Sequence, residues 1–520
     1  MNPKQILIYD TTLRDGTQAE GISFSVHDKI RIAEKLDAFG VHYIEGGWPG
    51  SNPKDIAFFD EAKRLRWKSA KICAFGSTCR AKTQPSEDQQ IALLLSAETP
   101  TVTIVGKSWR LHVEKILGVS IEENRRMIRD SVAYLKSRGR EVIFDAEHFF
   151  DGYKDDPEHS LAALQAALDG GADALVLCDT NGGAMLHEVS ETTAAVVQKF
   201  QTQIGIHTHN DCELGVANAL AAIRAGATQV QGTINGYGER TGNCNLTSVI
   251  PNLQLKFHSK IVSDLSRLRE LSMFVDELAN CQHNIRAPYV GTTAFTHKGG
   301  LHAHAVQKVA RSYEHIEPEA VGNHQHIVVS ELSGQSNVLA KTREFGFKLE
   351  KGSAQVAAIL QEVKRLEHLG YEFEAAEASF ELLIRRILGP IEPFWELLEY
   401  HCTYIRSVRN NFETCEATVK LRVKNEDVYT VAEGDGPVNA LDAALRKALI
   451  PVYPKIESVT LADYKVRIIG SNYGTGARTR VLTDSTDRHD NWCTVGVSDN
   501  IIEASWLALV DSYEYKLRRS

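Results

Sequence analysis

Eight short β-rich runs alternate with stretches of helical period through the first half of the chain, and no other feature restricts the fold as strongly. The runs are Ile6 to Tyr9, His42 to Glu45, Lys71 to Phe75, Thr101 to Val105, Glu141 to Ala146, Ala174 to Cys178, Ile204 to His209 and Gln229 to Ile234. The helical stretches between them include Ser25 to Gly40, Pro53 to Arg66, Ile121 to Arg138, Pro157 to Asp169, Leu186 to Phe200 and Leu214 to Ala225. The first is the clearest. Ser25 can cap it with Asp28 three residues on, Ile32, Leu36 and Phe39 share a face, and Gly40 suits the C-terminal turn. Alternating strands and helices imply parallel pairing through right-handed crossovers. Eight such units in roughly 260 residues have the size of a (β/α)8 TIM barrel, an α/β fold. The rival, a doubly wound open sheet, should carry a Gly-rich dinucleotide turn after its first strand. Here that strand is followed instead by T-T-L-R-D-G-T-Q.

Beyond the barrel the pattern changes. A helical stretch from Asp264 to Asn280 leads into an irregular segment, Ala287 to Gln325, rich in Gly, His and Thr. Two more helical patterns, Ser353 to Leu369 and Ala375 to Leu388, end at Gly389-Pro390 and Glu392-Pro393, which break the period. The remainder reads as a small α+β module. Its strands are Glu413 to Val423, Val428 to Ala432, Lys465 to Ile469, Arg478 to Leu482 and Trp492 to Val497, and its helices are Pro437 to Leu449 and Asn500 to Leu517. The expected division is a catalytic barrel over 1–262, a mostly helical linker subdomain over 263–389 that contributes to the active site, and a C-terminal domain over 390–520.

In a (β/α)8 barrel the functional residues sit at the C-terminal strand ends. That rule selects Arg14-Asp15, Glu45, Glu147, Asp179-Thr180, His207, His209 and the segment Asn235 to Asn243. An isolated H-x-H is more often incidental than a site. Two imidazoles on one face of a strand, however, suit a divalent transition metal. Asp15 can add a hard oxygen ligand and Asn243 a carbonyl oxygen. Such a mixed N/O set with open positions fits Mn2+, Mg2+, Zn2+ or Fe2+ rather than a closed structural zinc. Arg14 is placed to hold a carboxylate or polarise a carbonyl, and Glu45 is its natural partner at the substrate site.

Composition narrows the partners. With 520 residues, 43% hydrophobic and a formal net charge of -9, the chain is an ordinary globular protein with no basic field for nucleic acid or anionic membranes. Its nine cysteines are scattered without a C-x-x-C pair, which fits a reducing compartment. The N-terminus lacks a signal-like pattern and no apolar run reaches about 18 residues, so the expected location is cytoplasmic.

Four ordered motifs, L-R-D-G-T-Q at 13–18, H-T-H-N-D at 207–211, N-G-Y-G-E-R-T-G-N at 235–243 and G-G-L-H-A-H at 299–304, closely resemble the 2-isopropylmalate, homocitrate and citramalate synthase family of metal-dependent barrels. The run E-G-G-W-P-G-S-N-P-K-D at 45–55 looks most like the citramalate synthase branch. The tail, from G-D-G-P-V-N-A-L-D-A-A-L at 434–445 through I-I-E-A-S-W at 501–506, resembles that family's allosteric and dimerisation domain. The resemblance implies an acyltransferase that condenses acetyl-CoA, as co-substrate, with pyruvate and water to give citramalate and CoA, in isoleucine biosynthesis. It further implies a homodimer under feedback from a branched-chain amino acid, isoleucine if citramalate is the product.

Carried over residue by residue, the resemblance makes Asp15, His207, His209 and Asn243 the metal ligands, with Arg14 and Thr180 contacting the 2-oxo acid. Glu147 matches the catalytic glutamate, His302 a histidine supplied from beyond the barrel, and Tyr313 its tyrosine partner. Where the family commonly has an acidic residue two positions after that histidine, this chain has His304, which leaves open whether Glu147 or His302 is the immediate base. For the effector site the Gly-rich turn with Gly474, Thr475 and Gly476 is the candidate, although a plain turn is as consistent with its composition. Alternatives left open are a synthase for another 2-oxo acid, an aldolase or lyase using the same constellation in reverse, and a catalytically silent amino-acid sensor. A biotin-dependent carboxyltransferase is disfavoured because no Met is followed by Lys.

Overall fold

The computed structural model describes residues 5–298, 302, 305, 306, 308–328, 335–408, 412–469 and 477–519. Eight parallel strands close into a barrel: β1 (Leu7–Asp10), β2 (Tyr43–Gly47), β3 (Lys71–Ser77), β4 (Thr101–Lys107), β5 (Glu141–Glu147), β6 (Ala174–Asp179), β7 (Gln203–Thr208) and β8 (Gln229–Gly232). Closure is made by β1, which pairs with β2 on one side and with β8 on the other. The open doubly wound sheet is thereby excluded.

Both faces of these strands are buried, as parallel strands under a helical layer require. Alternate residues such as Ile8, Ile72, Val102, Ile104, Val142, Phe144, Leu175, Leu177 and Ile206 belong to the large outer cluster that the helices cover. The intervening set, Tyr9, Tyr43, Cys73, Ile143, Ala174, Val176 and Cys178, forms a separate cluster inside the barrel. Each large apolar side chain buried this way contributes roughly 1.5–3 kcal/mol. The helices start where local chemistry dictates. The helix Val26–Phe39 carries a complete capping box between Ser25 and Asp28. Asn52 caps the helix Pro53–Ala62, with Pro53 at its first position, and Ser120 caps Ile121–Ser137.

Two details depart from the sequence reading. Strand β7 ends at Thr208, so His209 lies one residue past it, in an isolated antiparallel bridge to Asn243. Thr208 donates to the Gly215 carbonyl at 2.8 Å, and the Cys244 amide donates to the Thr208 carbonyl at 2.9 Å, which takes the chain off the barrel ladder at that point. Short helices at Gln89–Ser96 and Phe149–Asp155, too brief to show a helical period, also enter the connections.

One compact unit comprises residues 1–295 and 315–324 and contains the barrel; the other comprises residues 296–314 and 325–520. In the second unit the helices Gln335–Glu344, Ala354–His368 and Glu377–Leu388 precede two three-stranded antiparallel sheets. The first sheet is ordered Trp395–Ser407, Phe412–Val423, Glu426–Gly434, and the second Thr460–Ile469, Arg478–Thr486, Asn491–Ser498. The helix Pro437–Leu449 packs mainly on the first sheet and Ile501–Arg518 on the second. The strand Trp395–Ser407 is not apparent from the sequence. A register shift between Leu397 and Glu399 interrupts its two-residue alternation, which hides the strand from any period count. No helix among the described residues is long and apolar enough to cross a membrane.

Candidate active site

A cavity of about 510 Å3 opens at the C-terminal ends of the barrel strands. Arg14, Asp15, Glu147, Thr180, His207 and His209 all line it, together with Trp48, Phe75, Lys107 and Asp145. Six of the predicted residues, drawn from four strand ends, therefore converge on one space.

Arg14 is held from two sides. Its Nε donates to Glu45 Oε1 at 2.6 Å, Nη1 bonds Asp15, and the guanidinium lies 3.8 Å from the centroid of the Phe75 ring. Burial opposes its charge, but Asp15 and Glu45 outweigh that and hold Arg14 more firmly protonated than usual. Glu45 is completely buried and also accepts from the Tyr9 hydroxyl at 2.5 Å, while the same hydroxyl lies 2.6 Å from Thr103 Oγ1. Glu45 thus braces Arg14 from behind.

The histidines face each other. His207 Nε2 is 3.3 Å from His209 Nε2, 3.1 Å from Asn243 Nδ2 and 3.8 Å from Asp15 Oδ2. Burial lowers both imidazoles, His209 to about 3, so both rings are neutral at ordinary pH. Burial raises the Asp15 carboxyl, yet Arg14 and the two histidines bring it below the ordinary carboxylate value. Asp15 Oδ2, Asn243 Oδ1 and His209 Nδ1 are buried with no hydrogen-bond partner among the described residues. Such orphaned atoms are uncommon and call for an explanation. Among the described residues no three His, Cys, Asp or Glu side chains stand preassembled as a cation cage. Neutral nitrogens and unpartnered oxygens of this kind are nevertheless the donor set that a divalent ion accepts.

Asn243 owes its place to the loop that follows β8. Gly238 has φ +154°, and a Cβ there would stand 1.9 Å from Asn243 Oδ1. Only glycine lets the backbone pass so close to that side chain.

Glu147, the last residue of β5, is paired with Lys107, the last residue of β4, and not with Arg14. Lys107 is not singled out by the sequence, where the fourth run ends at Val105; the strand itself continues to Lys107. Thr180 accepts from the His148 amide at 2.9 Å. Asp145, two residues before Glu147 and on the same strand face, is a second addition, and burial, reinforced by Glu45, raises its carboxyl well above the usual range.

His302 and Tyr313 belong to the second unit, where their rings stack with centroids 4.3 Å apart and both side chains are exposed. His304, Gly474, Thr475 and Gly476 lie outside the described residues.

Comparison with known proteins decides the family. HMGL-like matches residues 5–275, Homocitrate synthase post-HMGL domain-like matches 289–370, and the LeuA allosteric (dimerisation) domain matches 374–517. The chain is 54% identical to an (R)-citramalate synthase of Aquifex aeolicus, over 99% of this chain and 98% of that protein. The chain belongs to the (R)-citramalate synthase family. An (R)-citramalate synthase of Geobacter sulfurreducens is 52% identical, over 99% and 98% of the two chains. A Synechocystis (R)-citramalate synthase is 49% identical over 98% of this chain and 96% of its own. The family placement agrees with the closed barrel and with the appended C-terminal sheets, and it makes the chain an acyltransferase.

Proposed function

We infer that this chain condenses acetyl-CoA with pyruvate and water, releasing (R)-citramalate and CoA. The observation that carries the reading is the meeting, in one cavity, of a braced guanidinium, two neutral imidazoles beside unpartnered Asp15 and Asn243 oxygens, and the Glu147 carboxylate. Asp15, His207, His209 and Asn243 would hold the divalent ion. Such an ion would supply Lewis acidity towards the keto group of a 2-oxo acid.

The chain's own side chains supply the rest. Arg14, fixed by Glu45 and Phe75, directs its remaining N–H groups at the substrate carboxylate and at the oxygen on which negative charge develops. Thr180 lines the same space and contacts the oxo acid. Glu147, steadied by Lys107, takes a proton from the acetyl methyl, so that this carbon can add to the keto carbon. His302, with Tyr313 stacked on it, is the second acid-base group, supplied from outside the barrel. Water then cleaves the thioester, which makes the overall conversion favourable.

In this reading the protein works in the cytoplasm as a homodimer within isoleucine biosynthesis, divided into barrel, linker subdomain and C-terminal regulatory domain near residues 262 and 389. The match to an allosteric and dimerisation domain supports a homodimer with an effector site, and isoleucine is the effector if citramalate is the product. Free thiol is expected from acetyl-CoA only when pyruvate and a divalent ion are both present, with less from 2-oxoisovalerate and 2-oxoglutarate. No thiol release with any of the three acids would sink the reading. Calorimetry with isoleucine, leucine and valine tests the effector, and heat from none of them would remove it.

A further inference from the structure

Deep in the barrel, beneath the two facing histidines, runs a hydrogen-bonded chain that the proposed reaction does not use. His207 Nδ1 lies 2.8 Å from Gln231 Oε1, and Gln231 Nε2 donates to Asp145 Oδ1 at 3.0 Å. His207, Gln231 and Asp145 are all buried, Gln231 completely. We propose that Asp145 and Gln231 are positioning residues that fix His207 as its Nδ1–H tautomer and so leave Nε2 as the atom that meets the divalent ion. The inference rests on the proposed metal site.

The physical argument turns on the amide. A glutamine side chain offers one acceptor and one donor end, and the two ends look alike in shape. If Gln231 turned over, its NH2 group would face His207 Nδ1, and the ring would have to carry its proton on Nε2. That proton would point at His209, Asn243 and Asp15, the groups grouped around Nε2 at 3.3, 3.1 and 3.8 Å. Metal binding would then require the ring to change tautomer. In the observed arrangement Asp145 Oδ1 accepts from the amide NH2 and the acceptor end of Gln231 is set towards His207. No other described hydrogen bond reaches Gln231 through its side chain.

Among the described residues no cation pairs with Asp145, and its side-chain partner is the Gln231 amide. The same strand carries Asp145 and Glu147 on one face, so a single element sets both the ring that would bind the ion and the base that would take the proton. Outer partners of this kind typically change metal affinity by about 10- to 100-fold.

The test measures divalent-metal affinity by competition with a chromophoric chelator, using Mn2+ and Zn2+ on the full-length protein. Gln231→Met, similar in shape but without the acceptor, is expected to weaken binding by about 10- to 100-fold. Asp145→Asn should weaken it comparably, because the new amide can donate to Gln231 Oε1 and turn Gln231 over. The double variant Asp145→Asn with Gln231→Glu restores an acceptor facing His207 and a donor behind it, and should recover most of the affinity. A purely structural role for the pair would not produce that rescue.

Nitrogen NMR of the 15N-histidine-labelled, metal-free wild type gives a readout independent of any variant's folding. His207 is expected as the Nδ1–H tautomer, and the Nε2–H form overturns the proposal. Unchanged affinity in Gln231→Met, beside loss of binding in His207→Ala, overturns the positioning role alone. Unchanged affinity in both removes the metal site itself, and this inference with it.

Discussion

Two polar interiors in this chain look alike in composition and differ in bookkeeping. The barrel mouth holds Arg14, Asp15, Glu147, His207 and His209 around a cavity of about 510 Å3. A second cavity, of about 350 Å3 in the C-terminal region, is lined by Asp442, Arg446, Ser485, Ser512 and Tyr513 among apolar side chains. In the C-terminal cavity the polar groups answer one another. Arg446 donates to Asp442 at 2.9 Å and to the carbonyls of Ile456 and Val459 at 3.2 and 2.6 Å, Tyr513 bonds Asp442, and Ser512 donates to Ser485 at 2.7 Å. In the mouth, Asp15 Oδ2, His209 Nδ1 and Asn243 Oδ1 have no partner among the described residues. A buried polar atom left unpaired costs free energy, and three of them beside the His207 ring form a donor set suited to a divalent ion. A polar cluster that satisfies itself is a structural device.

That contrast can be broken by experiment. The largest effect is expected from His207→Ala, which should abolish divalent-metal binding and lower kcat/KM by about 10^4-fold. Thermal stability of the metal-free protein should fall only as far as the lost bond to Gln231 and the space left by the ring require; a collapse of Tm would show that the mouth is structural after all. Glu147→Gln should keep metal affinity and lower kcat by about 10^3-fold, as loss of a general base does. Stopped thiol release with intact metal binding is the signature.

The pH dependence sharpens the same point inside the barrel. Asp10, completely buried, accepts from the Thr12 amide and hydroxyl, yet burial pushes its carboxyl up to about 7. With the folded value above the ordinary 3.8, its stabilising contribution is fully present below pH 3.8 and is lost as pH rises towards 7. Urea titrations between pH 4 and 8 should show that slope, flattened in Asp10→Asn; an unchanged slope would refute the assignment.

In the C-terminal cavity the effects should be smaller and fall on stability. Arg446→Met should lower unfolding free energy by about 2 kcal/mol through its lost charged hydrogen bonds, with kcat for thiol release preserved. The smallest effect belongs to a purely local device: Ser25→Ala should cost about 1 kcal/mol by removing the capping box, read as a shift in denaturation midpoint.

Much of the mouth was legible from sequence because the barrel places function at strand ends. Arg14, Asp15, Glu147, Thr180 and His207 follow from that rule once the strands are placed. Lys107 escapes the rule because the apolar run ends at Val105, whereas the strand continues to Lys107. His209 was assigned to a strand on periodicity alone, whereas the bridge to Asn243 and the side-chain bond from Thr208 to Gly215 end the ladder one residue earlier. The strand Trp395–Ser407 was missed because a bulge resets its alternation, and a two-residue period read across a bulge averages to nothing.

The sequence by itself determined the eight alternating units, the helix starts at Ser25, Asn52 and Ser120, and the glycine that lets Asn243 approach the histidines. These depend on neighbours within a few residues, where spacing and side-chain type are sufficient. Only the tertiary structure decided that Glu45 braces Arg14, that Glu147 pairs with Lys107, and that Asp145 reaches His207 through Gln231. Those partners lie 31, 40, 86 and 24 residues apart in sequence. Their meeting depends on strand register and barrel closure, which put distant strand ends side by side, and no local pattern carries that information.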